Sequence, residues 1–356
     1  MTGKTQMTHP AQPVEPILSV DGLSVSYGSA RQPLNVVKDV SFDVAPGQVL
    51  GIVGESGSGK SQTVLAVLQL LAEGGRISGG QVRFEGAELQ SLSQRRMRKV
   101  RGQGIALISQ DALSSLNPSM KIGRQMAEPL IAYDGLSASA ARKRCTELLE
   151  LVGIPAPAHR LESYPHELSG GMRQRVLIAM AISRNPRVLI ADEPTTALDV
   201  TIQAQIINLI DDLRKELGMA LVLITHDLGV VAGIADRISV MYAGRIVETA
   251  TTDQIFAASR HPYTRALLSS IPKPDQPRGE RLKPIPGLPV DPREDVRGCA
   301  FNPRCTHALA SCTESLPAMI AAEDDGQHLF RCPVDPFRLA EAEGPRARLQ
   351  GNGGMS

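Results

Sequence analysis

Residues 54–61 read GESGSGKS, and no other stretch constrains the fold of this chain as tightly. The segment fits G-x-x-x-x-G-K-[ST] and lies between QVLGIVG, a short apolar run, and SQTVLAVLQLLAE, which has helical spacing. A glycine-rich turn joining a buried strand to a helix is the setting of a phosphate loop. Glycines let backbone N–H groups curl around phosphate oxygens, and the helix start adds positive potential. On this reading Gly54, Glu55, Ser56, Gly57, Ser58, Gly59, Lys60, Ser61 and Gln62 form the binding turn. Lys60 reaches β- and γ-phosphates and Ser61 holds Mg²⁺.

Such a unit needs an α/β core around it, and the pattern supplies one. RVLIADEP and ALVLITHD are wholly apolar runs of strand length, as expected for a parallel sheet buried on both faces. Between them VTIQAQIINLIDDLRKELG has helical spacing. ILSVDGLSVSY and NVVKDVSFDV alternate apolar and polar residues, which predicts an antiparallel β subdomain near the N-terminus. MAEPLIAY, ASAARKRCTELLELVGI and GGMRQRVLIAMAISR predict an inserted helical subdomain at about 118–183. After about residue 260 proline becomes frequent and long periodic segments vanish. The expected organisation is a flexible leader (1–16), a nucleotide-binding domain (17–260), a small irregular C-terminal extension (261–340) and a flexible tail (341–356).

Composition narrows the partners. A formal net charge of +1 gives no bulk field toward nucleic acid or an anionic membrane, and 3% aromatics leaves little for base-stacking platforms. No window offers the ~18 consecutive apolar residues of a membrane span. The N-terminal segment lacks the apolar core of a signal peptide, so a reducing compartment is expected.

Asp192 and Glu193 close RVLIADEP, where α/β sheets present ligand groups. Asp192 is placed to hold Mg²⁺ through a water, and Glu193 to act as general base on the attacking water. Upstream, LSGGMRQR sets Ser169, Gly170 and Gly171 ahead of a helical run, a second set of N–H groups able to receive phosphate. Two phosphate-receiving helix starts for one nucleotide suggest ATP held between two subunits.

With these motifs in order, the chain resembles the nucleotide-binding subunits of ABC transporters over roughly residues 17–260. LSGGMRQR is similar to that family's signature motif. The resemblance implies further roles: Tyr27 stacking on adenine, Gln110 in ALISQD as the Q-loop glutamine, Asp199 in ALD as the D-loop, and His226 in LITHD as the switch histidine. One phosphate loop, no second ATPase half and no sustained heptads set the chain apart from soluble relatives acting on ribosomes or DNA. SLNPSM, HPYTRALLSSIP, the IPGLP run and the cysteine-bearing extension resemble ATPases of the dipeptide/oligopeptide and nickel importers. That resemblance implies a peripheral protein on the cytoplasmic face of the membrane. It also implies a second homologous ATPase, two transmembrane permease subunits and a substrate-binding protein, with membrane contact only through the permeases. Peptides are the expected cargo, with nickel or another small solute as the alternative.

Four of the five cysteines fall at C-x5-C-x6-C-x19-C: Cys299, Cys305, Cys312 and Cys332. In a reducing compartment this favours a soft metal or a cluster over disulfides, and the spacing leaves iron–sulfur and Zn²⁺ both open, with unligated thiols as a third reading. The family resemblance implies a [4Fe–4S] cluster on these four residues. His307 reads as a surface histidine and Cys145 as a packing residue.

Overall fold

The computed structural model describes residues 15–29, 31–110, 115–196, 198–271, 284–291, 293–294, 296–323 and 325–334. The expected tail and all but residues 15 and 16 of the expected leader lie outside them. In chain order the strands are β1 (Leu18–Tyr27), β2 (Leu34–Val44), β3 (Val49–Val53), β4 (Arg76–Phe84), β5 (Ala87–Glu88) and β6 (Ile105–Ile108). They continue with β7 (Val188–Asp192), β8 (Ala220–Thr225), β9 (Arg237–Tyr242), β10 (Arg245–Thr251), β11 (Ile320–Ala322) and β12 (Asp325–Phe330).

Two sheets result. β2-β1-β4-β5 is antiparallel, and β11-β12-β10-β9-β3-β8-β7-β6 is mixed, with β9, β3, β8, β7 and β6 parallel. Period-two alternation explains the layering. Leu221 and Leu223 of β8 join a core shared with the helical subdomain, whereas Ala220, Val222 and Ile224 join the core beneath the antiparallel sheet. Every residue of β3, β7 and β8 is buried, so these strands carry no polar side.

The helical insertion contains Ile122–Asp134, Ala138–Leu151 and Gly170–Ile182. Cys145 is fully buried there, beside Leu148 and Leu149 on the inner face of its helix. One predicted helix is shorter than its spacing suggests: Lys60–Val67 stops before LQLLAE. Gln69 turns to φ 51°, and Arg101 donates to Leu68 O at 2.8 Å and to Gln69 O at 3.0 Å. Those carbonyls at the helix end are thereby satisfied by a side chain from another segment.

Among the described residues beyond 260, irregular segments join the helix Pro262–Ser269, two short turns of helix and the strands β11 and β12, yet this region does not stand apart. β12 pairs with β10 and extends the main sheet, and Phe301 joins the main core. His328 anchors the added hairpin: its Nε2 lies 2.7 Å from Glu248 Oε1, both residues being buried. The same carboxylate accepts the N–H groups of Arg260 at 2.6 Å and His261 at 3.0 Å, so a buried acid is fully engaged.

Candidate nucleotide-binding site

β3 delivers the chain to Gly54, and the helix Lys60–Val67 begins at Gly59 with no side-chain cap. Two glycines are dictated by contact as well as by conformation. At Gly54 (φ 157°) a Cβ would overlap the carbonyl oxygen of Met241; at Gly59 (φ 101°) it would meet Val36 O at 2.8 Å. Neighbouring strands thus press the loop into its curve, and only glycine fits. Lys60 is 5% exposed and folds its Nζ back onto Gly54 O at 2.8 Å and Glu55 O at 3.1 Å. Burial draws its ammonium below the usual lysine value, while the charges of Glu193, Asp192 and Glu55 oppose the shift.

Across from the loop, β7 ends at Asp192 and the backbone swings into the left-handed region at Glu193, φ 46°. Held strain of this kind is worth about 1–3 kcal/mol and clusters at functional sites. It aims the Glu193 carboxylate into a junction of four side chains. Oε2 accepts from Gln110 Nε2 at 3.0 Å and from Thr196 Oγ1 at 3.0 Å, and lies 3.4 Å from His226 Nδ1. Oε1 lies 3.9 Å from Lys60 Nζ. Asp192 is 6% exposed, and its Oδ1 is buried without a hydrogen-bond partner. The Ser61 side chain is hydrogen-bonded to this carboxyl, whose Oδ1 is left unpartnered; a hydroxyl and a carboxylate are the hard oxygens a divalent cation takes, so these residues fit Mg²⁺. Burial raises the Asp192 carboxyl above the ordinary aspartate range, against its hydrogen bond from Ser61.

Residues 56–62, Gln110 and Glu193 line a cavity of about 1140 Å³; its far wall comes from the extension, including Gly298, Cys299 and Phe301. His226 lines an adjoining hollow together with Glu55, Gln110 and Glu193. Neither space is lined by Tyr27 or by the signature residues. Tyr27 instead donates its hydroxyl to Gln62 Oε1 at 2.7 Å, and its ring lies close against Gly75. Ser169 caps the helix Gly170–Ile182, accepting from Met172 N at 3.3 Å. The glycines beside it approach Leu198 and Ile202. Asp199 caps the helix Val200–Leu217, accepting from Ile202 N at 3.0 Å, and Val200 next to it is 80% exposed.

Sequence reasoning did not single out Thr196, Tyr263 or Arg304 as site residues. Thr196 lies three residues after Glu193, a spacing that carries no signal of its own. The other two reach the loop from the far end of the chain: Tyr263 accepts the Glu55 N–H at 2.9 Å, and Arg304 pairs with the Glu55 carboxylate.

The cysteine expectation is corrected. Among the described residues no group of three or more His, Cys, Asp or Glu is arranged to hold a metal ion, which overturns the iron–sulfur reading and its Zn²⁺ alternative. All five cysteines are free thiols. Cys299 and Cys305 pack against the main core, and Cys332 packs with Ala322, Phe330 and Val334. Burial pushes the Cys332 thiol up to about 12 and raises Cys299 and Cys305 as well, so these sulfurs stay protonated as small apolar groups. His307 is exposed and donates its backbone N–H to Cys305 Sγ at 3.4 Å.

A phosphate loop facing an acidic strand end, with a helical insertion and an antiparallel sheet on the flank, defines a nucleotide-hydrolysing cassette. Comparison with known proteins agrees. A family described as "ABC transporter" matches residues 37–196, and one described as "Oligopeptide/dipeptide transporter, C-terminal region" matches 247–312. The oligopeptide transport ATP-binding protein OppD of Bacillus subtilis (strain 168) is 49% identical over 309 residues, 86% of each chain. The dipeptide transport ATP-binding protein DppD of Escherichia coli (strain K12) is 48% identical over 319 residues, 90% of this chain and 97% of that one. Among solved structures, the dimeric ATP-binding cassette MJ0796 in a post-hydrolysis state bound to ADP and Pi superposes with a TM-score of 0.59 at 28% identity. It covers 66% of this chain and 98% of its own. The chain belongs to the ATP-binding subunits of the oligopeptide/dipeptide branch of ABC transporters, and it is an ATPase.

Proposed function

We propose that this chain powers the import of di- and oligopeptides, working from the cytoplasmic face of the membrane as one of two ATPases beneath a pair of permease subunits. The observation that carries the reading is the junction at Glu193, where Gln110, Thr196, His226 and Lys60 converge beside the unpartnered Asp192 oxygen. Likeness of residues 247–312 to the oligopeptide/dipeptide transporter region, and the names of the relatives, support peptides as cargo. Among the described residues no helix is long and apolar enough to cross a membrane, which is consistent with permeases being separate chains. A substrate-binding protein and a related but different partner ATPase complete the proposed complex.

In this reading residues 17–260 form the nucleotide-binding domain and the remainder an extension. Gly54 to Gln62 cradle the phosphates, Lys60 meets the β- and γ-oxygens, and Tyr27 flanks the adenine. Asp192 and Ser61, with Gln110, would hold Mg²⁺, which when bound neutralises charge developing on the phosphate oxygens. Glu193 takes the proton of the attacking water, and His226 contacts the γ-phosphate. Ser169, Gly170, Gly171 and Asp199 serve the nucleotide held by the partner ATPase. This accounts for Ser169, Gly170 and Asp199 being exposed while none of the four lines the cavity at the chain's own loop. Closure of the two ATPases drives the permeases through the difference in nucleotide affinity between closed and open states.

Uptake of a labelled dipeptide and of radioactive nickel, measured in cells carrying wild-type chain or Glu193→Gln, tests the reading. Peptide uptake should require Glu193. Loss of nickel uptake with peptide uptake intact would replace the cargo, and uptake of both at the wild-type rate would overturn the assignment of Glu193.

A further inference from the structure

Three aromatic residues from distant parts of a chain poor in aromatics gather under the phosphate loop. Tyr242 lies 4.6 Å from Tyr263 and 5.4 Å from Phe301, centroid to centroid, and Tyr263 lies 5.4 Å from Phe301. Over this cluster sits Arg304, its side chain 4% exposed and its guanidinium carbon 5.9 Å from the Tyr242 and Phe301 ring centres. Arg304 Nη1 donates to Glu55 Oε2 at 2.7 Å and Nη2 to Glu55 Oε1 at 2.9 Å. Its Nε donates to Pro286 O at 2.8 Å, and Nη1 also reaches the Tyr242 hydroxyl at 3.3 Å. Glu55 is thus gripped twice from the C-terminal region: by its carboxylate through Arg304, and by its N–H through Tyr263.

A two-bonded guanidinium–carboxylate pair has a fixed geometry, unlike a lysine contact. Glu55 is the second residue of the loop; neighbouring strands confine the loop at Gly54 and Gly59 but leave Gly57 with open space, so the stretch between them keeps some freedom of curvature. Holding its start in one curvature lowers the ordering cost when phosphates arrive. We propose that Arg304 is a positioning residue for ATP: by clamping Glu55 it sets the phosphate loop, and it makes nucleotide affinity depend on the docking of the C-terminal extension. This rests on reading Gly54–Ser61 as the phosphate-binding loop.

The test is equilibrium binding of a fluorescent ribose-labelled ATP, with Mg²⁺, to the full-length chain. Arg304→Met should weaken binding roughly tenfold, within the usual range of coupling between sites, and Arg304→Lys should recover part of the loss. In a Glu55→Ala background the same Arg304→Met change should matter less than about twofold, because the partner it acts through is gone. Equal effects in both backgrounds would mean that Arg304 only supports the extension, and the proposal fails. Unchanged affinity in Arg304→Met and Arg304→Lys also overturns it. Lys60→Ala separates the two ideas: wild-type binding there would sink the phosphate-loop reading itself, whatever Arg304 does.

Discussion

Gln110 Nε2 donates to Glu193 Oε2 at 3.0 Å, joining the segment after β6 to the one after β7 across 83 residues of chain. Because β6 and β7 are parallel neighbours, both segments leave the sheet at the same end of the strands. The glutamine is therefore a direct neighbour of the proposed base, and any ligand entering between them must part this bond.

Glu193→Gln keeps the shape of that junction and removes its charge. Phosphate release by the assembled transporter should fall roughly 10²–10⁴-fold, the usual worth of a general base, while MgATP binding persists. Turnover near the wild-type rate would assign the base elsewhere.

Two loop glycines should respond differently to alanine. A Cβ at Gly54 would overlap the Met241 carbonyl, whereas at Gly57 (φ 78°) it would meet nothing within 4 Å. Gly57→Ala then carries only the left-handed backbone cost, about 1–2 kcal/mol; Gly54→Ala adds a displaced strand. Urea unfolding should rank Gly54→Ala as the less stable variant, with MgATP binding lost alongside. The reverse order would contradict the packing described here.

His261 is 1% exposed, and burial lowers its imidazole from 6.5 to about 4, against the pull of Glu248. The folded state therefore binds fewer protons than the unfolded chain between those values. The stability it contributes is complete above its unfolded pKa and is lost as pH falls, reaching about 2 kcal/mol near pH 5. Urea denaturation at pH 7.5 and pH 5 measures the slope, and His261→Gln should make it shallower. An unaltered slope in that variant would show that His261 does not carry it.

Burial pushes the Cys145 thiol up to about 11, and the side chain is fully enclosed. Thiolate is the reactive form, so iodoacetamide at pH 8 should leave Cys145 unmodified in the native chain and label it after denaturation. Peptide mass mapping reads both states; rapid native labelling would mean that the helical insertion opens readily.

Much of the candidate nucleotide site is written as motif, because the chemistry it would serve is local. GESGSGKS must curl between one strand and one helix, and RVLIADEP must end in acids where a buried strand emerges. The extension was not legible in this way. Its strand DGQHLF is too short and too mixed to read as part of a buried sheet, and it pairs with β10 only because β10 leaves an open edge. The cysteines misled for a related reason. Their spacing is compatible with a ligand set, yet the thiols of Cys299, Cys305 and Cys332 are taken up by packing, which depends on what lies around each sulfur.

Contiguous residues were enough for the class of fold, the candidate phosphate loop, the candidate acids opposite it and the kinship to peptide-transport ATPases, since each carries its own backbone logic. Folding alone brings Gln110, Thr196, His226 and Lys60 to Glu193. It alone decided that Arg304, 249 residues from Glu55, would close on the phosphate loop. Side chains so far apart meet only when a shared sheet and core bring them together, and no local spacing encodes that meeting.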